Sequence, residues 1–275
     1  MAIRSLLVVG SGTMGAGIAA SFAGAGFVTT ILSRSPAGKA VPDGVAVVGE
    51  LPAEAPDLTI ESIPEDFALK AAFFERFERA YGERGILASN TSSLPLQAFA
   101  DRLNWPQRFA GMHYYHPADA FPLVEVVRVA QTTDAVRDAI VAALHITGKE
   151  AVVLEEPVVG FLVNRLQHAI LREAYDLIER GVARAEEIDM VARLLLGPRM
   201  CVTGLIRQKD LSGLAVHLKS HASILPTLAK NDEPSPLIAQ ALARGGFYDW
   251  SEIDREAFAR EAAKRLARVL AAVQG

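Results

Sequence analysis

The chain has 275 residues, enough for two domains, and 51% of them are apolar with a mean hydropathy of +0.22, which excludes a disordered or fibrous protein. Twenty-eight basic residues against 32 acidic ones leave a net charge of −4, so the clustered cations that displace counterions from nucleic acid are missing. Cys201 is the lone cysteine and cannot form an internal disulfide, so a reducing compartment, read as cytoplasmic, is expected.

From Ser5 to Ser33 no side chain is charged. A secretion signal or membrane span would need an unbroken apolar run, whereas here Gly10, Gly12, Gly15, Gly17, Gly24 and Gly26 interrupt it. The stretch divides into a strand (Leu6 to Val9), a small-residue helix (Thr13 to Ala23) and a second strand (Phe27 to Leu32), and no membrane association is expected. Gly10-Ser11-Gly12-Thr13-Met14-Gly15 then fits G-x-G-x-x-G between strand and helix. In that context the first glycine makes a tight turn, the second lets backbone approach a pyrophosphate, and the third lets the helix pack closely on the sheet. The helix N-terminus adds unpaired N–H groups and a partial positive charge. A dinucleotide is the expected ligand.

Which dinucleotide depends on the end of the second strand. An NAD site usually carries an acid about 20 residues on, to bind the ribose hydroxyls. Here Ser33 stands in its place, followed by Arg34, a guanidinium suited to a 2′-phosphate. NADP(H) is therefore favoured over NAD(H). Further strands are predicted at Val45–Val48, Leu58–Ile63, Gly85–Ser89, Phe109–His113, Leu123–Val127 and Ala151–Leu154, with helices at Asp66–Tyr81 and Ala135–Leu144 between them. The alternation predicts an α/β Rossmann-type doubly wound sheet over residues 1–156. After Pro157 the strands stop, and helices are predicted over Gly160–Gly181, Ala185–Leu196, Leu211–Leu225 and from a capping box at Ser251 and Asp254 onward. Residues 157–275 thus form an all-α C-terminal domain.

Two segments could carry chemistry. Ala88-Ser89-Asn90-Thr91-Ser92-Ser93 sits beyond a strand's carboxyl end, where open α/β sheets bind ligands, although these are also ordinary turn residues. His113, at the end of one strand, and Glu125, on the next, can form a dyad in which the carboxylate fixes the imidazole tautomer and raises its basicity. A metal reading of His113-x-x-His116 with Glu125 lacks further ligands nearby, and no metal is expected.

Ala88–Ser93, Gly111-Met112-His113-Tyr114-Tyr115-His116-Pro117, Val124–Val127, the run Val159 to Leu166 and Gly246-Phe247-Tyr248-Asp249-Trp250 together resemble the 3-hydroxyacyl-CoA dehydrogenase family over nearly the whole chain. The resemblance implies a Rossmann domain, a helical dimerisation domain that makes a homodimer, and reversible oxidation of an L-3-hydroxy group, with fatty acid metabolism as the usual setting. It further implies His113 as catalytic base, Glu125 as its partner, Ser92 on the substrate oxygen and Asn164 near the substrate carbonyl. Ile63, Glu65, Lys70, Asn90, Ser92 and His116 correspond to positions on the cofactor cleft, joining the glycine turn with Ser33 and Arg34.

The chain departs from the family at three places. Ser33-Arg34 replaces the acid, and His116 stands where the family has Asn in H-x-x-N-P. The link from Arg34 to Asp57 lacks a helical insertion, of roughly thirty residues, that helps hold coenzyme A, which weakens the case for a thioester substrate. Ile63-Pro64-Glu65-Asp66 and the Gly160–Gly181 helix look closer to the L-gulonate and carnitine dehydrogenase relatives, which act on free hydroxy acids. The expected activity is interconversion of an L-3-hydroxy acid or 3-hydroxyacyl-CoA with its keto form. The alternatives are an NAD-dependent acyl-CoA enzyme and a non-catalytic dinucleotide-binding protein on the same fold.

Overall fold

A computed structural model describes residues 2–36 and 41–274. It divides into two compact units, residues 1–165 and 166–275. The first unit runs past the last strand because Phe161 is buried in its core.

The first unit is one eight-stranded sheet. Its strands are β1 (Ser5–Val9), β2 (Val28–Leu32), β3 (Val45–Val48), β4 (Leu58–Glu61), β5 (Ile86–Ser89), β6 (Phe109–Tyr114), β7 (Leu123–Arg128) and β8 (Glu150–Leu154). They lie in the order β3-β2-β1-β4-β5-β6-β7-β8. Neighbours pair in parallel except β6 and β7. β4 is shorter than expected, ending at Glu61 before the turn into Pro64.

Alternation along each strand splits the core into two layers. Leu6 and Val8 face one layer with Ile18 and Phe22 of α1 (Thr13–Gly24). Leu7 and Val9 face the other with Phe74 and Phe77 of α2 (Phe67–Tyr81). The short α3 (Leu96–Ala100) adds Phe99 to the second layer, and α4 (Asp134–Ile146) adds Ile140 and Leu144 to the first. α2 starts at an Asp66 cap, whose carboxylate accepts the Leu69 N–H at 2.8 Å. The strand order reverses at β1 and β4, so the crevice for a ligand opens beyond their carboxyl ends.

The second unit is helical: α5 (Val163–Glu179, begun in the first unit), α6 (Ala185–Val191), α7 (Gly197–Thr203), α8 (Arg207–Ser212), α9 (Leu214–Ile224), α10 (Pro236–Arg244) and α11 (Arg255–Gln274). The helix expected over Leu211–Leu225 is broken by Gly213 at φ 93°. That expected over Ala185–Leu196 changes after Val191 into a π-helical turn leading to α7. α11 is capped by Asp254, which accepts the Glu256 and Ala257 N–H groups at 2.9 and 3.0 Å, so the expected start at Ser251 is corrected. Among the described residues, no helix is long and apolar enough to cross a membrane.

The glycine turn makes a paired prediction. A Cβ on Gly15 would lie 2.0 Å from the Gly10 carbonyl oxygen, while one on Gly12 would meet nothing within 4 Å. Gly15→Ala is expected to cost about 1–3 kcal/mol in urea unfolding through overpacking. Gly12→Ala is expected to unfold within about 0.5 kcal/mol of the wild type yet lose dinucleotide binding in a titration.

Candidate functional site

Gly10 has φ 115°, and a Cβ there would sit 2.4 Å from the Ser62 carbonyl oxygen. The turn after β1 is thus pressed against the end of β4, which only glycine permits. Gly12 is the N-cap of α1, with no side chain capping the helix and no acid in its first turn. Open space above Gly12 and an uncapped helix N-terminus fit a pyrophosphate. They face a cleft of about 820 Å³ that also reaches Ser33, Arg34, Ile63, Glu65, Asn90 and Ser92.

The residues expected from sequence fall in three groups. Gly10, Ser11, Gly12, Thr13, Met14, Gly15, Ser33, Arg34, Ile63, Glu65, Asn90 and Ser92 all line this one cleft. Lys70 is a correction: it is 1% exposed, and its ammonium is drawn beneath the wall by Glu61 at 2.5 Å, the Ile63 carbonyl at 3.1 Å and Glu65 at 3.3 Å. His116, like His113, Glu125 and Asn164, is not among the residues that line this cleft. It is exposed beyond the end of β6 and has no polar partner among the described residues.

Beyond the carboxyl ends of β1 and β2, the Ser33 and Ser11 hydroxyls lie 2.9 Å apart. Arg34 is exposed and makes no ion pair among the described residues. Sequence reading missed Arg76, which lines the same cleft and pairs with Glu50 at 2.5 Å. Leu69, Ala72, Phe73 and Arg76 all face the cleft, and their i, i+3, i+4, i+7 spacing on α2 was the available signal.

Glu65 organises the wall after β5. One of its oxygens accepts the Thr91 hydroxyl at 2.6 Å, the Ser92 N–H at 2.9 Å and the Ser93 N–H at 3.1 Å, with the Ser92 hydroxyl at 3.3 Å. Burial pushes its pKa up, but the Thr91 hydroxyl, the Ser92 amide, the Lys70 charge and the Ser93 amide outweigh it and hold the group at about 2. Beneath it, Glu61 takes the Lys70 ammonium, the Ser89 hydroxyl at 2.7 Å and the Ile63 N–H at 2.7 Å. Burial pushes the Glu61 carboxyl up against these donors.

His113 and Glu125 are direct cross-strand partners on β6 and β7. His113 Nδ1 lies 2.8 Å from Glu125 Oε2, and the two side chains are 6% and 0% exposed. The ring sits between Tyr115, with centroids 4.5 Å apart, and Phe161, at 5.3 Å. Glu125 Oε2 also accepts the Tyr115 hydroxyl at 2.5 Å, and Oε1 accepts the Leu162 and Val163 amides at 2.8 and 3.0 Å. Burial raises the Glu125 pKa, but His113, Tyr115 and the two amides together bring it below the ordinary value. An ionised Glu125 makes Nδ1 the donor, so Nε2 is the lone-pair nitrogen available to accept a proton. Asn164, half-buried in the first turn of α5, follows Val163 directly. Tyr115 and the two amides went unnoticed in sequence, because nothing local marks a side chain or N–H that reaches a carboxylate on another strand.

Glu65 gives a pH prediction. With a folded pKa of about 2 against an ordinary 4.5, its contribution is full above about 4.5 and lost as pH falls through about 2. In urea unfolding from pH 7 to pH 2.5, the stability gap between wild type and Glu65→Gln should stay constant to about pH 5 and then narrow steadily. A gap independent of pH would contradict the ionised carboxylate.

Comparison with known proteins agrees with this geometry. The 3-hydroxyacyl-CoA dehydrogenase NAD binding domain model matches residues 39–157, and the 3-hydroxyacyl-CoA dehydrogenase C-terminal domain model matches 160–250. A probable 3-hydroxybutyryl-CoA dehydrogenase of Bacillus subtilis is 32% identical over 92% of this chain and 99% of its own. A 5-formyl-3-hydroxy-2-methylpyridine 4-carboxylate 5-dehydrogenase of Mesorhizobium japonicum is 28% identical over 99% of both chains. The crystal structure of such a dehydrogenase, described as an NAD+ dependent dismutase, superposes with a TM-score of 0.92 at 26% identity over 99% of both chains. A 3-hydroxyacyl-CoA dehydrogenase from Archaeoglobus fulgidus superposes with a TM-score of 0.74 at 27% identity, over 98% of this chain and 99% of its own. With an NAD-binding sheet, a helical C-terminal region and oxidoreductase relatives matched along nearly their full lengths, the chain belongs to the 3-hydroxyacyl-CoA dehydrogenase family.

Proposed function

We propose that this protein is a dehydrogenase that interconverts a free L-3-hydroxy acid with its 3-keto form and prefers NADP(H). The carrying observation is the buried His113–Glu125 pair, which leaves Nε2 as proton acceptor; His113 does not itself line the dinucleotide cleft, but the next residue, Tyr114, donates its N–H to Asn90, which does. A bound nicotinamide supplies the hydride-accepting or hydride-donating carbon. His113 takes the hydroxyl proton through Nε2 in oxidation and returns it in reduction, while Glu125 stabilises the imidazolium across Nδ1–H. Ser92 and Asn164 orient the substrate oxygens.

Cofactor preference rests on charge. The acid that would bind a free 2′-hydroxyl is replaced by Ser33, and the guanidinium groups of Arg34 and Arg76 line the same cleft, an arrangement suited to a 2′-phosphate. Preference for a free acid rests on the short link between β2 and β3. The close match to the Mesorhizobium dehydrogenase favours a second reading, oxidation of an aldehyde on an aromatic carboxylic acid.

The helical unit supports a homodimer. Leu194, Val202, Ile206 and Leu242 are 72%, 84%, 75% and 82% exposed, a density of exposed apolar side chains that a second copy would cover. Light scattering on the eluted protein should give twice the 29.5 kDa chain mass; a monomer would refute the dimer.

The direct assay follows NADPH and NADH oxidation in parallel with free 3-keto acids and acetoacetyl-CoA, and NADP+ and NAD+ reduction with an aromatic aldehyde acid. Turnover with the free keto acid and NADPH is expected. Turnover restricted to the thioester would refute the free-acid reading. His113→Ala should lower turnover about 10²–10⁴-fold with cofactor affinity unchanged. Arg34→Ala should weaken NADPH about ten-fold or more and spare NADH, whereas equal loss for both would remove the 2′-phosphate role.

A further inference from the structure

The loop between β6 and β7 begins with Tyr115, which the reaction as described does not use. Its hydroxyl donates to Glu125 Oε2, the same oxygen that His113 Nδ1 contacts. The other oxygen is fully engaged by the Leu162 and Val163 amides. Two donors therefore share one carboxylate oxygen, one of them the group whose charge changes during turnover. The phenol is fixed in this position by its ring, which meets His113 at 63° with centroids 4.5 Å apart and Phe121 at 74° and 6.5 Å.

We propose that Tyr115 is a positioning residue that sets the basicity of His113 by taking up part of the Glu125 charge. An imidazolium is stabilised by the carboxylate it faces, and a carboxylate already committed to a strong hydrogen bond offers it less. Tyr115 thus moderates the base, since its hydroxyl competes with the imidazole N–H for the same carboxylate oxygen. Burial, then the Glu125 bond and charge, hold the phenol well above its ordinary pKa, so it stays a donor throughout the working range. Among the described residues, the groups in direct contact with the trio are apolar rings and backbone amides. From the segment before α5 come the apolar Phe161 ring and two amides. Glu125 pairs with Val152 on β8. Lys149 is anchored on the Asp119 and Phe121 carbonyls, in the same β6–β7 loop. This inference rests on His113 as the proton acceptor, and its test has a readout that needs no turnover.

The experiment is Tyr115→Phe in the full-length protein, which keeps the ring and removes the hydroxyl. The titration midpoint of His113, one of six histidines, is followed by NMR of histidine-labelled protein, with His113→Asn to assign the signal. The pH profile of kcat/KM in the oxidation direction is measured alongside. Both midpoints should rise by about half a unit or more, because the imidazolium gains an undivided carboxylate, while cofactor affinity stays unchanged. Incorporating 3,5-difluorotyrosine at 115, whose phenol is the stronger donor, should move the midpoint the opposite way and keeps the native packing if the phenylalanine variant fails to fold. A midpoint that stays in place or falls in Tyr115→Phe, or fails to fall with the fluorinated ring, overturns the proposal. An NMR shift of the expected sign without turnover on any keto acid upholds it and instead refutes the proposed reaction.

Discussion

The Glu125 carboxylate is the point on which the site depends. It is fully buried on β7 and receives four donors: the imidazole of His113, the phenol of Tyr115 and the amides of Leu162 and Val163. A lone carboxylate could not be held ionised at that depth, since desolvation favours the neutral acid. The four donors reverse the balance and bring its pKa below the ordinary value. The donors come from three places in the local structure: the facing strand, the loop leaving it, and the start of a helix that would otherwise end with unpaired N–H groups. Satisfying Glu125 therefore fixes the ring of the candidate base, the start of the loop and the start of α5 at once, and Asn164 follows from the last of these.

A second buried carboxylate performs the same task for the cofactor side. Glu61 ends β4 and holds Lys70, which also reaches Glu65, which in turn gathers the backbone of residues 91–93. A buried ion pair of this kind adds little net stability against an apolar substitute, but losing one partner leaves an uncompensated charge. Its contribution is positional. It converts a helix, a strand end and a loop into one wall of the cleft, with Ser92 and Asn90 on its surface.

The sequence made the sheet legible because its signals are local and repeated. Apolar alternation marked the strands, and the spacing of Gly10, Gly12 and Gly15 carried three distinct steric requirements that the structure reproduces as a backbone contact, an open face and a close packing. The His113–Glu125 pair was legible as chemistry, since both residue types sat on adjacent predicted strands. What remained hidden was reach. Nothing local shows that the Lys70 stem turns under the cleft, that His116 lies outside it, or that Arg76 enters it from the next helix. α3 went unseen because a five-residue helix has too few turns to show a period. The helical unit was misread where glycine broke a run, as at Gly213, and where Asp254 outcompeted Ser251 as a cap.

The sheet order explains how the chain can depart from its family at one edge and keep its chemistry at the other. β3 and β2 form one edge, and β7 and β8 the opposite one, with β1, β4, β5 and β6 between them. The short link between β2 and β3, Ser33 and Arg34 belong to the first edge. Glu125 belongs to the second, with His113 facing it from β6 and Tyr115 from the loop that follows. Among the described residues, Ser11 and Ser33 meet on one side, Glu61, Lys70 and Glu65 stand in the middle, and Glu125 gathers the donors on the other. Mutations that are far apart and share no partner act nearly independently. A change at the β2–β3 edge can therefore accumulate without moving the His113–Glu125 pair.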